Sequence, residues 1–318
     1  MQMPAVELDD LTRYRGEILA HCYRMSGSIH DAEDLTQETL LRAWRALDSF
    51  EGRSSIKTWL YRIATRVCLT ALEKRARRPL PSGLNPPSTT PEAELEPGED
   101  LPWLTPFVTS TAASEPEAIA DQNADIRLAF VVALQHLAPR QRAALLLCDV
   151  LGLKPAEVGQ VLDMSTAAVY SALARARRTL DGAGVRDREE HPTYADEPRI
   201  RAVVDEYVAA FADADLHRLA ELLRQDVRLE MPPRLEWFSG RDAVLAFLDR
   251  RILTSANRWH LEPAVANGQP AALCYVRTSD GSYRPHAVHV LDVRDGRITR
   301  IVAFNDERLV AARRSEAS

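Results

Sequence analysis

A chain of 318 residues has room for two to three domains, and 46% hydrophobic with 27% charged side chains places it among soluble globular proteins. The start, Met1 to Asp10, has no basic n-region or apolar h-region, and no apolar run approaches bilayer length, so no secretion signal or membrane span is expected. Cys22, Cys68, Cys148 and Cys274 lie far apart without a Cys-x-x-Cys pair, which suits buried thiols in a reducing cytoplasm and points to no metal and no cofactor. The net charge of −6 argues against a nucleic-acid partner, but its distribution argues for one, because the sign alternates by segment.

Residues about 8–78 read as all helix. Leu11, Tyr14, Ile18, Cys22 and Met25 form one amphipathic stripe, interrupted at Gly27. Leu40, Ala43, Trp44 and Leu47 form a second, after the acidic start Asp31-Ala-Glu-Asp34, which favours a helix N-terminus. Leu60, Ile63, Val67 and Ala71 form a third. Residues 53–78 carry eight bases against one acid, and Arg62 and Arg66, four apart and off the stripe, can meet one anionic surface; a solvated basic face is the plainer alternative.

Residues about 79–120 hold nine prolines, most of the nine acids of residues 79–125, and no base, a composition that cannot fold alone and predicts a linker. One apolar island, Leu101-Pro-Trp-Leu-Thr-Pro-Phe-Val108, is wasteful in a tether unless it docks. Residues about 121–185 predict a second helical domain, with Ile126, Phe130, Leu134 and Leu137 packing ahead of a helix-turn-helix. Its first helix begins near Pro155, and its second is capped by Ser165. On that second helix Val169, Leu173, Ala176 and Leu180 face the core. Ala167, Tyr170, Ser171, Ala174 and Arg178 face away, with Arg175 and Arg177 flanking. Small and hydroxyl side chains followed by arginines suit base edges first and phosphates second.

Residues about 196–311 change character. Helices over Arg199–Phe211, Leu216–Leu223 and Arg241–Leu253 accompany strands over Val227–Met231, Trp259–Ala266, Ala271–Thr278, His286–Val293 and Arg297–Phe304. Asp295-Gly296 predicts a tight hairpin, and helices on one antiparallel sheet make an α+β unit.

The runs Asp31-Ala-Glu-Asp-Leu-Thr-Gln-Glu-Thr-Leu-Leu-Arg-Ala-Trp44 and Ser55-Ile-Lys-Thr-Trp-Leu-Tyr-Arg-Ile-Ala64, with the helix-turn-helix, resemble bacterial sigma-70 family initiation factors of the extracytoplasmic-function (ECF) class. The resemblance implies a polymerase-binding and promoter-melting domain over 8–78, a connector over 79–120 and a minus-35 reader over 121–185. It implies core RNA polymerase and promoter DNA as partners. Asp34, Gln37, Glu38 and Leu41 would meet the polymerase clamp helices. Arg53, Ser54, Lys57, Trp59, Arg62 and Arg66 would lie at the minus-10 element, with Trp59 either a stacking platform or a core residue. Thr166, Ala167, Tyr170, Ser171, Arg175 and Arg178 would lie at minus-35. Two departures matter. Arg66 and Thr70 stand where the family has Asn and Asp, and Tyr170-Ser-Ala-Leu173 stands where it commonly has Lys-Ser-Arg-Leu. In the family the connector runs toward the RNA exit path, so the acidic segment reads either as an occupant of a phosphate channel or as a solvated spacer.

Asp226-Val-Arg-Leu-Glu-Met-Pro-Pro233 and Trp237-Phe-Ser-Gly-Arg241 resemble the SnoaL-like, cystatin-type cone of polyketide cyclases and small ligand-binding proteins, over 196–311. The implied architecture is multidomain: two all-α sigma domains and a C-terminal α+β cone, an extension that in some ECF groups regulates the sigma factor. Such a cone can hold a small-molecule ligand. His260, Glu262, Tyr283, His286, His289 and Asp306 could line it for acid–base work, but strand alternation predicts that Glu262 and the oddly spaced His286/His289 pair do not all point inward. No oriented nucleophile or metal spacing is visible, so no enzyme is expected. The rival readings are a cone-fold cyclase or isomerase with a DNA-binding appendage, and a ligand-sensing regulator that never meets polymerase.

Overall fold

The computed structural model describes residues 11–50, 52, 54–73, 77–92, 94–98, 100–109, 127–182, 197–255 and 258–316. They fall into two compact units: residues 1–78 with 117–189, and 79–116 with 190–318. Among the described residues no helix is long and apolar enough to cross a membrane.

The first unit is helical. Its elements are α1 (Arg15–Ser26), α2 (Ile29–Arg45), α3 (Ile56–Leu72), α4 (Leu128–Leu134), α5 (Pro139–Leu145, running into a π-type turn to Val150), α6 (Pro155–Leu162) and α7 (Thr166–Gly182). Ser28 and Ser55 cap α2 and α3 by accepting from the Asp31 and Thr58 amides. The first stripe is buried at Leu11, ahead of α1, and at Ile18, Cys22 and Met25 on it, with Tyr14 half-buried.

Three expected stripes shift. On α2 the buried side is Ala32, Thr36, Thr39 and Ala43, while Trp44 is 56% exposed. Small residues let α1 and α2 approach closely, and the indole, one residue on from Ala43, turns outward. On α3 the buried set is Leu60, Tyr61, Ala64, Thr65, Val67 and Cys68, with Ile63 and Ala71 only half-buried, because this helix is covered on more than one side. On α4 Leu128, Val131 and Leu134 are buried and Phe130 is half-buried; Ile126 lies outside the described residues.

The second unit is a seven-stranded sheet with helices. The cone supplies α8 (Pro198–Ala212), α9 (Leu216–Leu222), α10 (Arg241–Phe247, then a π-type turn to Ile252), α11 (Glu307–Glu316) and six strands. The strands are β2 (Leu223–Glu230), β3 (Trp237–Ser239), β4 (Trp259–Ala266), β5 (Gln269–Arg277), β6 (Tyr283–Arg294) and β7 (Arg297–Phe304). Within the order β1-β4-β5-β6-β7-β2-β3, only β2 and β7 run parallel. Asp295-Gly296 makes the expected turn with φ of +52° and +73°, and Asn267-Gly268 makes a second with +55° and +64°. Ile200, Val203, Val204, Tyr207 and Phe211 of α8 recur every three or four residues and share one core with Leu261, Cys274, Leu291 and Ile301 of the sheet.

Residues 79–109 carry little regular structure of their own, as their composition predicts, yet they are fastened along this unit rather than free. Val108 and Thr109 form β1, which adds an antiparallel edge strand to β4. Phe107 and Asn267 exchange hydrogen bonds: the Phe107 amide donates to Asn267 Oδ1 at 2.9 Å, and the Asn267 amide to the Phe107 carbonyl at 2.7 Å. The stretch with the SnoaL-like motifs does most of the holding. Ser82 donates its amide to Glu230 Oε2 at 3.0 Å, Ser88 to the Trp237 carbonyl at 2.8 Å, and Gly98 to the Pro233 carbonyl at 2.8 Å. Trp237 Nε1 donates back to the Asn85 carbonyl at 2.8 Å. The apolar island is docked: Trp103 and Leu104 are buried, and the indole N–H donates to the Gly98 carbonyl.

Candidate nucleic-acid interface

On α2, Asp34, Gln37 and Leu41 are exposed and Glu38 is half-buried, so the four share one helix face. Glu38 is braced by Arg42 one turn on, at 2.6 Å. Sequence reasoning missed Trp44 here: it continues this exposed face one turn beyond Leu41.

Ser54, just ahead of α3, and Lys57, Arg62 and Arg66 on it are exposed. Arg53 lies outside the described residues. Glu17 of α1 receives both Lys57 Nζ, at 2.6 Å, and the Tyr61 hydroxyl, at 3.1 Å. Burial, reinforced by the Glu17 charge, raises the Tyr61 phenol well above its usual range, so it stays a protonated donor. Trp59 is half-buried, its ring tilted against Phe50 with centroids 5.0 Å apart. Arg66 Nη2 reaches both carboxylate oxygens of Asp163 at 3.3 Å. Arg62 makes no ion pair with a described residue. Glu17 and Asp163 are the acids that sequence reasoning overlooked, because both partners lie far away in the chain.

The helix-turn-helix forms as expected. Pro155 opens α6, and Ser165 Oγ accepts from the Ala168 amide at 3.2 Å to cap α7. A Cβ on Gly159 would sit 2.6 Å from the Met164 carbonyl, so only glycine lets the turn pass this close to α6. On α7, Val169, Leu173 and Ala176 are buried, with Leu180 half-buried. Thr166, Ala167, Tyr170, Ser171, Arg175 and Arg178 are all exposed, Tyr170 by 60%. Arg177 leans away to Asp149 at 2.7 Å, while Arg175 and Arg178 make no ion pair with a described residue.

In the cone, His260 and Glu262 are exposed and 3.4 Å apart, with the Tyr275 hydroxyl donating to Glu262 at 3.1 Å. Asp306 pairs with Arg308. As expected, Glu262 and the two histidines do not all face inward, since Glu262 is exposed, but the histidines themselves share a side. The β5–β6 register slips between Cys274 and Tyr275, where Pro285 and Ala287 take successive partners and His286 is the extra residue. That bulge breaks strand alternation, so both rings join one aromatic group: His286 lies 5.0 Å from Trp259 and His289 5.3 Å from Phe211. His289 Nδ1 bonds the Tyr207 hydroxyl at 2.8 Å, and burial, with His286 beside it, pushes its pKa down to about 3. Among the described residues no cluster of His, Cys, Asp and Glu could hold a metal ion.

Residues 11–78 match the family model for Sigma-70 region 2, residues 127–180 that for Sigma-70, region 4, and residues 204–301 that for a SnoaL-like domain. Over 301 residues the chain is 48% identical to the ECF RNA polymerase sigma factor SigG of Mycobacterium tuberculosis, covering 93% of this chain and 80% of that protein. The chain belongs to the ECF sigma factors. It is also 28% identical over 307 residues to the ECF RNA polymerase sigma factor SigJ of Mycobacterium tuberculosis, covering 92% of this chain and 89% of that one. The crystal structure of SigJ superposes on this sigma factor with a TM-score of 0.64 at 24% identity, covering 96% of this chain and 98% of the other, so the two share a fold.

Proposed function

We propose that this sigma factor binds core RNA polymerase through Asp34, Gln37, Glu38 and Leu41, joined by Trp44, and directs promoter-specific initiation in the cytoplasm. Arg53, Ser54, Lys57, Trp59, Arg62 and Arg66 serve the minus-10 element; Thr166, Ala167, Tyr170, Ser171, Arg175 and Arg178 serve minus-35. The functional segments are 8–78, 79–120, 121–185 and 196–311. What carries the reading is α7, which buries one stripe and leaves every minus-35 candidate exposed on the rest. The protein performs no covalent chemistry of its own. In support, the acid–base candidates of the cone are divided between an exposed pair, His260 and Glu262, and the inner His286 and His289.

The cone regulates by holding the connector. Transcription with purified core polymerase tests both parts. Promoter-specific transcripts should depend on added protein, and Trp103→Ala in the full chain, which loosens the island, should change their yield several-fold. Transcription indifferent to Trp103→Ala would remove the regulatory role, and no transcript at all would favour the enzyme or sensor readings.

Arg62→Ala should weaken open-complex formation and lower the log–log salt slope by roughly one unit, the loss of one phosphate contact. Arg66→Ala should do so less, since Arg66 first gives up Asp163. Binding measured across a salt series decides; altered promoter choice at unchanged slope would mean these arginines read bases.

A further inference from the structure

The outward face of α7 carries no charge where the helix begins. From Thr166 to Ala174 the exposed side chains are Thr166, Ala167, Tyr170, Ser171 and Ala174, and no acidic, basic or amide side chain occurs anywhere in that stretch. Ala167 and Ala174, three before and four after Tyr170, lie beside it on the same face. Tyr170 is the largest group there; it is 60% exposed, and its hydroxyl has no hydrogen-bond partner among the described residues. Val169, Ala172, Leu173 and Ala176 are buried on the opposite side, so the phenol ring is presented from a fixed backbone. Two turns on from Tyr170, Arg177 is drawn away to Asp149: its Nε donates to Oδ2 at 3.2 Å and its Nη2 to Oδ1 at 2.7 Å. Arg175 and Arg178 remain outward, but only beyond this uncharged stretch.

From this face we infer that the factor reads its minus-35 element through thymine methyl groups packed against the Tyr170 ring. The readout rests on the assignment of α7 to that element. In the major groove guanine is told apart by Arg or Lys on O6 and N7, adenine by Asn or Gln on N6 and N7, and cytosine by a carboxylate on N4. None of these side chains is present from Thr166 to Ala174. The hydroxyls of Thr166, Tyr170 and Ser171 bond donors and acceptors alike, so they discriminate weakly between bases. What remains is the C5 methyl of thymine, the one apolar group that a base pair shows in that groove. The flanking alanines keep the surface low, which lets the helix approach the base edges and brings the ring against them. From Thr166 to Ala174 the helix rises about 12 Å, roughly three to four base pairs at about 3.4 Å each. That length leaves room for one or two thymines at the ring, with Arg175 and Arg178 on the phosphates beyond.

Holoenzyme assembled from the full chain and core polymerase, offered promoters with a randomised minus-35 element, should retain sequences with thymine fixed at one or two positions on either strand. Replacing each such thymine by deoxyuridine removes the C5 methyl and nothing else. Promoter binding should then weaken about four-fold per contacted methyl, the value of burying one methyl-sized group. Tyr170→Ala should bind the thymine promoter less well and make no distinction between thymine and deoxyuridine. Tyr170→Phe should keep the distinction, because the ring and not the hydroxyl makes the contact. Tyr170→Lys should lose it and steepen the log–log salt slope by roughly one unit, the gain of one phosphate contact. With 60% of it exposed, Tyr170 supports little of the fold, so helical content and co-elution with core polymerase should match the wild type in all three variants. A selected element without thymine, deoxyuridine without effect in the wild type, or an undiminished effect in Tyr170→Ala overturns the methyl readout while α7 keeps its assignment. Selected promoters with no preference at any minus-35 position overturn that assignment, and the readout with it.

Discussion

Reversing Asp34 and Glu38 together to lysine is expected to abolish co-elution with core polymerase while leaving the helical content and melting of the protein unchanged. The fold should tolerate it because neither side chain enters the core: Asp34 is exposed, and Glu38 reaches only Arg42, an exposed pair one turn apart of the kind worth about 0.3–0.5 kcal/mol. A lysine in place of Glu38, one turn before Arg42, adds a like-charge contact of similar small size. Binding is a different matter. An acidic face that meets a basic helix pair gains orientation and encounter rate from its charge, and like charges set against each other across an interface cost several kcal/mol, on the order of 100-fold or more in affinity. Trp44→Ala should weaken binding without this charge effect, since the indole is the largest apolar group on that face. Retained co-elution of the double reversal at ordinary salt would mean that another surface meets polymerase.

How much of this was legible in the sequence depended on whether a contact is local. The face of α7 could be read residue by residue, because a helix buried on one side repeats every three or four positions and nothing distant alters that. Asp295-Gly296 told its turn for the same reason, and Asn267-Gly268 carried an equal signal that went unused. Trp44 was misplaced by size: large apolar residues are usually buried, but on α2 the packed stripe consists of Ala32, Thr36, Thr39 and Ala43, and close helix approach leaves no room for indole. The docking of the island at Trp103 was legible from its apolar residues, but the rest of the path of residues 79–109 was not. It is held largely through backbone groups of Ser82, Ser88, Gly98 and Phe107, and backbone groups are the same in every sequence. That His286 and His289 share a side was not legible, because strand alternation assumes no bulge. Glu17 was hidden by distance, since its partners Lys57 and Tyr61 lie some forty residues along the chain.

Glu230→Ala is expected to cost the second unit about 3–5 kcal/mol, the usual penalty for removing one member of a buried ion pair and leaving the other unpaired. Glu230 is fully buried on β2, where Oε1 accepts from Arg300 Nε at 2.8 Å and Nη2 at 2.5 Å, and Oε2 accepts from the Ser82 amide. Burial alone would raise its pKa, but the Arg300 charge and the Ser82 hydrogen bond outweigh it and hold the carboxyl below its ordinary value of 4.5. A carboxyl lowered in this way contributes its full stability above 4.5 and loses it as pH falls through the lower folded value. His289 works in an earlier window: it is held neutral by burial with a pKa near 3 against an ordinary 6.5, so it begins to oppose folding once pH drops below about 6.5. The full chain should therefore lose stability on acidification from about pH 6.5 downward through the buried His289 and His21, both held near 3. Glu230 adds its own loss below 4.5, and Glu230→Ala should remove that added loss and leave the histidine part. Glu230→Gln keeps a single acceptor oxygen, enough for Arg300 or for the Ser82 amide but not for both, and turns donor hydrogens toward the other, so it should cost less than Ala while restoring only part of the site. Denaturation followed by the fluorescence of Trp237 and Trp259 measures the stability, and limited proteolysis of residues 79–109 measures the hold on the connector at Ser82. If Glu230→Ala costs less than about 1 kcal/mol and the connector stays protected, the pair is neither a keystone of the cone nor an anchor for the connector, because the unpaired Arg300 would then have to reach water at no expense to the fold.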